Sequence, residues 1–218
     1  MKSLNQYIKE KLIVNKNYKD ASVSPKSFDE LRKIIEDRYD KLGPGTKQNP
    51  IDFNDIDVSN MDSFYSNQGY RNQGIFEETK FKYIDISGWD VSKIVSMRHM
   101  FTWCEELRSV GDLSYWDVSN VTDMQNMFAG CYYLNPDVSN WDVSSVNNME
   151  FMFYMCRKFN QDISKWDVSS VTRMTRMFLD CKSFFNKDIS NWDVSKVKYK
   201  NEVFDDCPIK NSHKPKFK

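Results

Sequence analysis

The sequence predicts an α/β solenoid of about five strand-turn-helix coils behind an N-terminal helical segment, and three observations predict it. Trp89, Trp116, Trp141, Trp166 and Trp192 recur every 25 to 27 residues. Each carries the same neighbours at the same offsets. The shared columns are apolar enough to need burial, yet one unit is too short to bury them alone, which is the signature of units that stack on one another.

An Asp-apolar-Ser triplet precedes every tryptophan, as in Asp85-Ile86-Ser87, Asp112-Leu113-Ser114 and Asp162-Ile163-Ser164, and an Asp-Val-Ser triplet follows it. Five residues on stands Ile94, Val121, Val146, Val171 or Val197. Methionines follow at plus eight and plus eleven (Met97/Met100, Met124/Met127, Met149/Met152, Met174/Met177), a phenylalanine at plus twelve and a cysteine at plus fifteen. Around the tryptophan, as in Phe159 to Val168, apolar and polar residues alternate, which predicts a short strand or two. From Thr172 to Phe178 the apolar spacing of three and one predicts about two helical turns. Stacked coils place like columns about 4.7–4.9 Å apart, the spacing of paired strands.

Residues 1–50 lack the repeat. A helix is expected from about Ser3 to Val14, where Leu4, Ile8 and Leu12 form one stripe, and a second from Ser27, whose hydroxyl and Glu30 make a capping box ahead of Phe28, Leu31, Ile34, Ile35 and Tyr39. Gly43-Pro44-Gly45 ends it. The solenoid is expected over 51–207, with a degenerate first unit at 51–80: Ile56-Asp57-Val58-Ser59 repeats the tryptophan string with Ile for Trp, and Tyr65 to Lys80 reads as an inserted loop. Residues 208–218 read as a solvated basic tail.

Thirty-one basic and thirty-one acidic side chains cancel, so no overall field favours nucleic acid or an anionic membrane. No apolar run is long enough to span a bilayer, and the start has no secretory pattern. The expected location is therefore the cytoplasm of a host cell or a virion, and Asn120-Val121-Thr122 carries no weight as a glycosylation site. Five cysteines in one column, never as Cys-x-x-Cys, predict reduced, buried thiols. The two aspartate columns either accept N–H groups at turns or hold Ca²⁺; identical need in every coil favours the turns, with the serines capping the helices that follow. No Walker loop, Gly-x-Gly-x-x-Gly or His-Glu-x-x-His is present, and His99 shares its column with Asn126, Phe151, Arg176 and Glu202, which predicts a surface position. No catalytic residue, metal or cofactor is expected.

The string Trp-Asp-Val-Ser-x-Val-x-x-Met-x-x-Met-Phe-x-x-Cys-x-x-Phe-Asn-x-Asp-Ile-Ser, complete from Trp141 to Ser164, resembles the BspA-type leucine-rich repeats, in particular those of mycoplasma surface lipoproteins and of gut bacteria and their phages. The resemblance covers about Asp52 to Cys207. It implies a leucine-rich-repeat-like solenoid used for binding, with no catalytic residues to carry over. The first twenty residues, with Ile8-Lys9-Glu10 on a short helix before a lysine- and asparagine-rich stretch, are similar to targeting peptides of proteins packaged by tailed phages.

Binding in a repeat array is expected where columns vary. Trp103 and Met155 share a column with Gly130, Asp180 and Asp206; Phe151 stands where other repeats have His, Asn, Arg or Glu; Tyr115, Tyr132, Tyr133 and Tyr154 add to the set. Aromatic surface groups are what protein interfaces enrich. A protein-binding repeat scaffold is the leading expectation, with a virion-packaged phage component and a surface adhesin or antigen as alternatives.

Overall fold

The computed structural model describes residues 23–66, 73–184 and 187–217. The helix expected at Ser3 to Val14 lies outside them.

The second expected helix is present as α1, Phe28–Leu42. Ser27 accepts the Glu30 N–H at 3.2 Å, Glu30 returns a bond to the Lys26 N–H at 2.7 Å, and Gly43 closes the helix at φ 72°. The box is thus formed one residue wider than the sequence suggests, because Glu30 reaches the N–H before the cap rather than that of the cap itself. Leu31 and Ile35 are fully buried, and Tyr39 meets Phe81 edge to face at 5.1 Å.

Among the described residues four two-residue strands follow. β1 (Ile51–Asp52) pairs in parallel with β4 (Ile84–Asp85), and β2 (Tyr65–Ser66) pairs antiparallel with β3 (Gln73–Gly74). Beyond β4 the repeats are joined by single parallel bridges in one column, from Ser96 to Asp123, Asn148, Arg173 and Tyr199. Successive repeats therefore lie side by side in register.

The strand expected around each tryptophan is formed only ahead of Trp89, as β4, and the helix expected after it is not formed. Among the described residues the other repeats contain neither. The methionine-phenylalanine segment is a series of tight turns in which alternate N–H groups leave the repeat. In the first repeat those of Met97, His99, Phe101 and Trp103 donate to the carbonyls of Asp123, Gln125, Met127 and Ala129 in the next, at 2.7–3.0 Å. Those of Met100, Thr102 and Cys104 fold back on the carbonyl three residues earlier. An α-helix would turn every N–H inward along its own axis; here half are spent on the neighbouring repeat. The second, third and fourth repeats follow the same scheme. Residues at plus ten (His99, Asn126, Phe151, Arg176, Glu202) and plus fourteen (Trp103, Gly130, Met155, Asp180, Asp206) all have positive φ, between 54° and 75°.

The degenerate first unit is more complete than its sequence suggests. Part of the expected inserted loop returns to register: the Phe76 and Glu78 N–H groups donate to Met100 and Thr102, and Ile75 and Phe76 are fully buried. Phe64 and Phe76 take the methionine and phenylalanine columns, twelve positions apart instead of four, so the extra length is confined between the two.

The interior is a set of ladders. Phe76, Phe101, Phe128, Phe153, Phe178 and Phe204 stack in sequence at 5.3–5.7 Å. Trp116 stacks on Trp141 and Trp166 on Trp192, at 6.3 and 6.4 Å with rings nearly parallel. The indole N–H of Trp89, Trp141, Trp166 and Trp192 each donates to a carbonyl of the preceding unit, at 2.9–3.2 Å. Both ends are covered. α1 lies over Phe53 and Phe81, and the expected solvated tail packs instead on the last repeat: Ile209 is buried, the His213 carbonyl accepts the Ile189 N–H, and Phe217 packs against Phe204. The apolar end of the phenylalanine ladder needs such a cover whatever the tail's charge.

Candidate functional site

The aspartate columns are self-contained turns. Asp117 Oδ1 accepts the Ser119 N–H at 3.1 Å and its hydroxyl at 2.6 Å, and Asp90, Asp112, Asp137 and Asp142 do the same with the serine two residues on. The serines thus donate to their aspartates instead of capping helices, since no helix follows. Those bonds favour the ionised carboxylate and hold Asp57, Asp117, Asp162 and Asp188 below the usual range, the serine hydroxyl contributing most. Among the described residues no group of three or more His, Cys, Asp or Glu stands where it could hold a metal ion.

The cysteine column forms a second set of ties. Each thiol donates to a phenylalanine carbonyl of the preceding unit: Cys104 to Phe76, Cys131 to Phe101, Cys156 to Phe128 and Cys181 to Phe153, at 2.8–3.1 Å. All four are buried and unpaired with one another, and burial pushes the Cys104 thiol up to about 12. Such thiols are poor nucleophiles.

His99 is half-buried rather than freely exposed. Its Nδ1 lies 3.5 Å from Glu77 Oε1 and 3.3 Å from the Thr102 hydroxyl, and its ring stacks on Tyr65 at 5.8 Å. All five residues of its column share a positive φ of 54–58°, a backbone property the residue types do not reveal.

The seven candidate binding residues divide. Trp103, Tyr154 and Phe151 form one group: Tyr154 meets Trp103 edge to face at 6.1 Å and Phe151 at 5.9 Å. The Arg176 guanidinium lies 5.8 Å from the Phe151 ring and bonds Glu202 at 2.6 Å. Tyr132 borders this group through Arg157, which lies 4.8 Å from its ring and also bonds Asp180 at 3.0 Å. Gly130, in the repeat between, leaves room for the Trp103 indole, which a β-carbon there would strike. Met155, half-buried, occupies the same column two repeats from Trp103. Tyr133 is 45% exposed under Arg108, at 4.2 Å. Tyr115 is 54% exposed but precedes Trp116, half a repeat away along the chain from Trp103. The structure thus joins residues of the first four repeats into one half-buried aromatic surface with cationic edges.

Sequence reasoning missed Arg157 and Arg176, which look like ordinary surface charge, and Arg32. The Arg32 Nη1 donates to the carbonyls of Gly74, Ile75 and Glu77 at 3.0–3.2 Å. Ile75 and Glu77 hold the positions whose carbonyls, in every later repeat, accept an N–H from the unit before. Arg32 therefore supplies the donors that a preceding repeat would. Its signal in the sequence is only a cation one residue after the buried Leu31.

No helix among the described residues is long and apolar enough to cross a membrane. No curated protein and no solved structure matches the chain. One family matches in three overlapping stretches, residues 47–110, 71–184 and 108–217, which together run through every repeat. This is a repeat protein, and the chain belongs to the family described as "Mycoplasma protein of unknown function, DUF285".

Proposed function

We propose that the repeats build a leucine-rich-repeat-like solenoid of the BspA type, and that it is a non-enzymatic scaffold for binding another protein. The observation that carries the binding reading is the aromatic group of Trp103, Tyr154 and Phe151, which spans three repeats and is edged by Arg157 and Arg176. Clustered Trp, Tyr and Arg are the residue types that dominate binding energy in protein interfaces. The in-register bonds between repeats support the solenoid reading, because each unit buries its columns only against the next. A non-enzymatic role fits the functional-looking columns: the aspartates are spent on turns and the thiols on backbone carbonyls.

The same geometry supports α1 as the cap of the array's first end, through Leu31, Ile35 and Arg32. Affinity capture from the native host tests the binding reading, comparing the natural chain with Trp103→Ala and Tyr154→Ala after thermal melts show that both still fold. Loss of the same retained protein in both variants is expected. Unchanged retention would contradict the reading.

A further inference from the structure

The aromatic surface offers a partner hydrogen-bond donors and few acceptors. Its backbone is spent: the N–H groups of Trp103, Gly130 and Met155 donate to Ala129, Tyr154 and Leu179, each in the next repeat, and the carbonyls of Gly130, Phe151, Tyr154 and Met155 accept the N–H groups of Tyr132, Tyr154, Gly130 and Arg157. Its carboxylates are spent too. Asp180 is engaged by both Arg157 and Lys182, and Glu202 by Arg176. Donors are what is left. Among the described residues nothing bonds the Trp103 indole N–H, the Tyr154 hydroxyl or the Nη groups of Arg157 and Arg176, whose bonds to Asp180 and Glu202 run through Nε. Trp103, Tyr154 and Phe151 are half-buried, and both arginines are exposed.

We propose that this surface takes a proline-rich segment of another protein in the polyproline II conformation; the inference rests on the binding reading above and names its partner. Proline has no N–H and keeps its carbonyl, so such a segment presents acceptors without donors. That is the complement of what the surface offers. Polyproline II makes no internal hydrogen bonds, and its carbonyls stay free to accept from Trp103, Tyr154 and the two arginines. The rings suit the rest of the ligand. Tyr154 stands at 87° to Trp103 and at 89° to Phe151, which leaves a notch on either side of it for a flat proline ring. Aromatic-lined clefts hold such segments in general, and the preformed helix loses little entropy on binding. A strand added edge to edge would find these main-chain groups already bonded. A sugar fits less well, because its hydroxyls donate as well as accept. The six prolines of this chain include no Pro-x-x-Pro, so a second copy does not supply the ligand.

The test is a titration of the ¹⁵N-labelled full chain with a twelve-residue peptide of repeated Ala-Pro-Pro, read from the Trp103 indole N–H signal. A peptide of repeated Ala-Gly-Gly and a cello-oligosaccharide are the comparisons. The expected result is a saturable shift of that signal with the proline peptide, and at least tenfold weaker binding of the other two. Trp103→Ala should lower the affinity for the proline peptide at least tenfold, followed by the backbone amides of Tyr154 and Phe151. Should that variant fail to fold, Trp103→Phe and Tyr154→Phe, which each keep a ring and remove one donor, should lower it several-fold. Equal binding of the two peptides, binding of the sugar in place of the peptide, shifts elsewhere only, or no shift would overturn the proposal. A shift of the Trp103 indole signal on raising the protein concentration without peptide would show a second copy on the surface, and would overturn it too. Capture from the native host of a protein that Tyr154→Ala loses, beside no response to the proline peptide, would overturn this proposal and leave the binding reading standing.

Discussion

The Trp103 indole lies over Gly130, one repeat further on, and a β-carbon at position 130 would meet its ring. Gly130 also has φ 75°. Gly130→Ala should therefore destabilise the chain by about 1–3 kcal/mol, from left-handed strain and displacement of the ring together. Denaturant melts check this, and Trp103→Ala in the same background should recover part of the loss. Additive effects of the two substitutions would show that the contact is unimportant.

The tryptophans should not be equivalent. Trp141 Nε1 donates to Leu113, whereas Trp116 Nε1 is buried with no partner among the described residues. Replacing a donor that has an acceptor leaves that acceptor unsatisfied, at about 1–3 kcal/mol. Trp141→Phe should thus cost more than Trp116→Phe by about 1 kcal/mol or more, measured by denaturant unfolding. Equal losses would mean that the indole bond contributes nothing.

Arg32→Met should destabilise by about 2 kcal/mol, because it removes a charged donor from the Ile75 and Glu77 carbonyls while keeping the aliphatic packing. Its exposed ion-pair partner Glu36, bonded at 2.7 Å, is the comparison: Glu36→Gln should cost under about 0.5 kcal/mol. If the two variants melt alike, Arg32 is a surface charge and not the seal of the first edge.

Stability should fall at both extremes of pH. The aspartates of the turns have folded values below their ordinary 3.8, so their contribution is present above that pH and is lost as the pH falls through the lower folded values. The buried thiols have folded values above their ordinary 9.0, to about 12 at Cys104, so their contribution is present below 9 and is lost as the pH rises from about 9 toward 12. Equilibrium melts from pH 3 to 11 read both limbs. Asp117→Asn with Asp162→Asn should flatten the acid limb, and Cys104→Ala should flatten part of the alkaline one. Unchanged limbs would detach the pH dependence from these columns.

The columns that repeat identically were legible because burial demands the same residue type in each unit: the tryptophan, methionine, phenylalanine and cysteine columns are core, and the aspartates make turns. The backbone carrying them was not. Apolar spacing of three and one, as in Met174, Met177 and Phe178, fits two helical turns and also fits tandem turns that send alternate N–H groups outward. Only the bond directions separate the two. The same limit explains His99, Trp103 and Phe151. Their columns vary, which drew attention to them, but all three are half-buried, and only Trp103 and Phe151 join one aromatic group, through Tyr154. Tail packing was hidden by its lysines, since Ile209 and Phe217 outweigh them only once the open end of the phenylalanine ladder is known.

The binding reading is tested most directly by capture from the native host with one pair of variants read side by side: Tyr154→Ala, on the aromatic surface, and Tyr199→Ala, an exposed tyrosine outside it. The account predicts a retained protein that Tyr154→Ala loses and Tyr199→Ala keeps. The same proteins retained by both would contradict it.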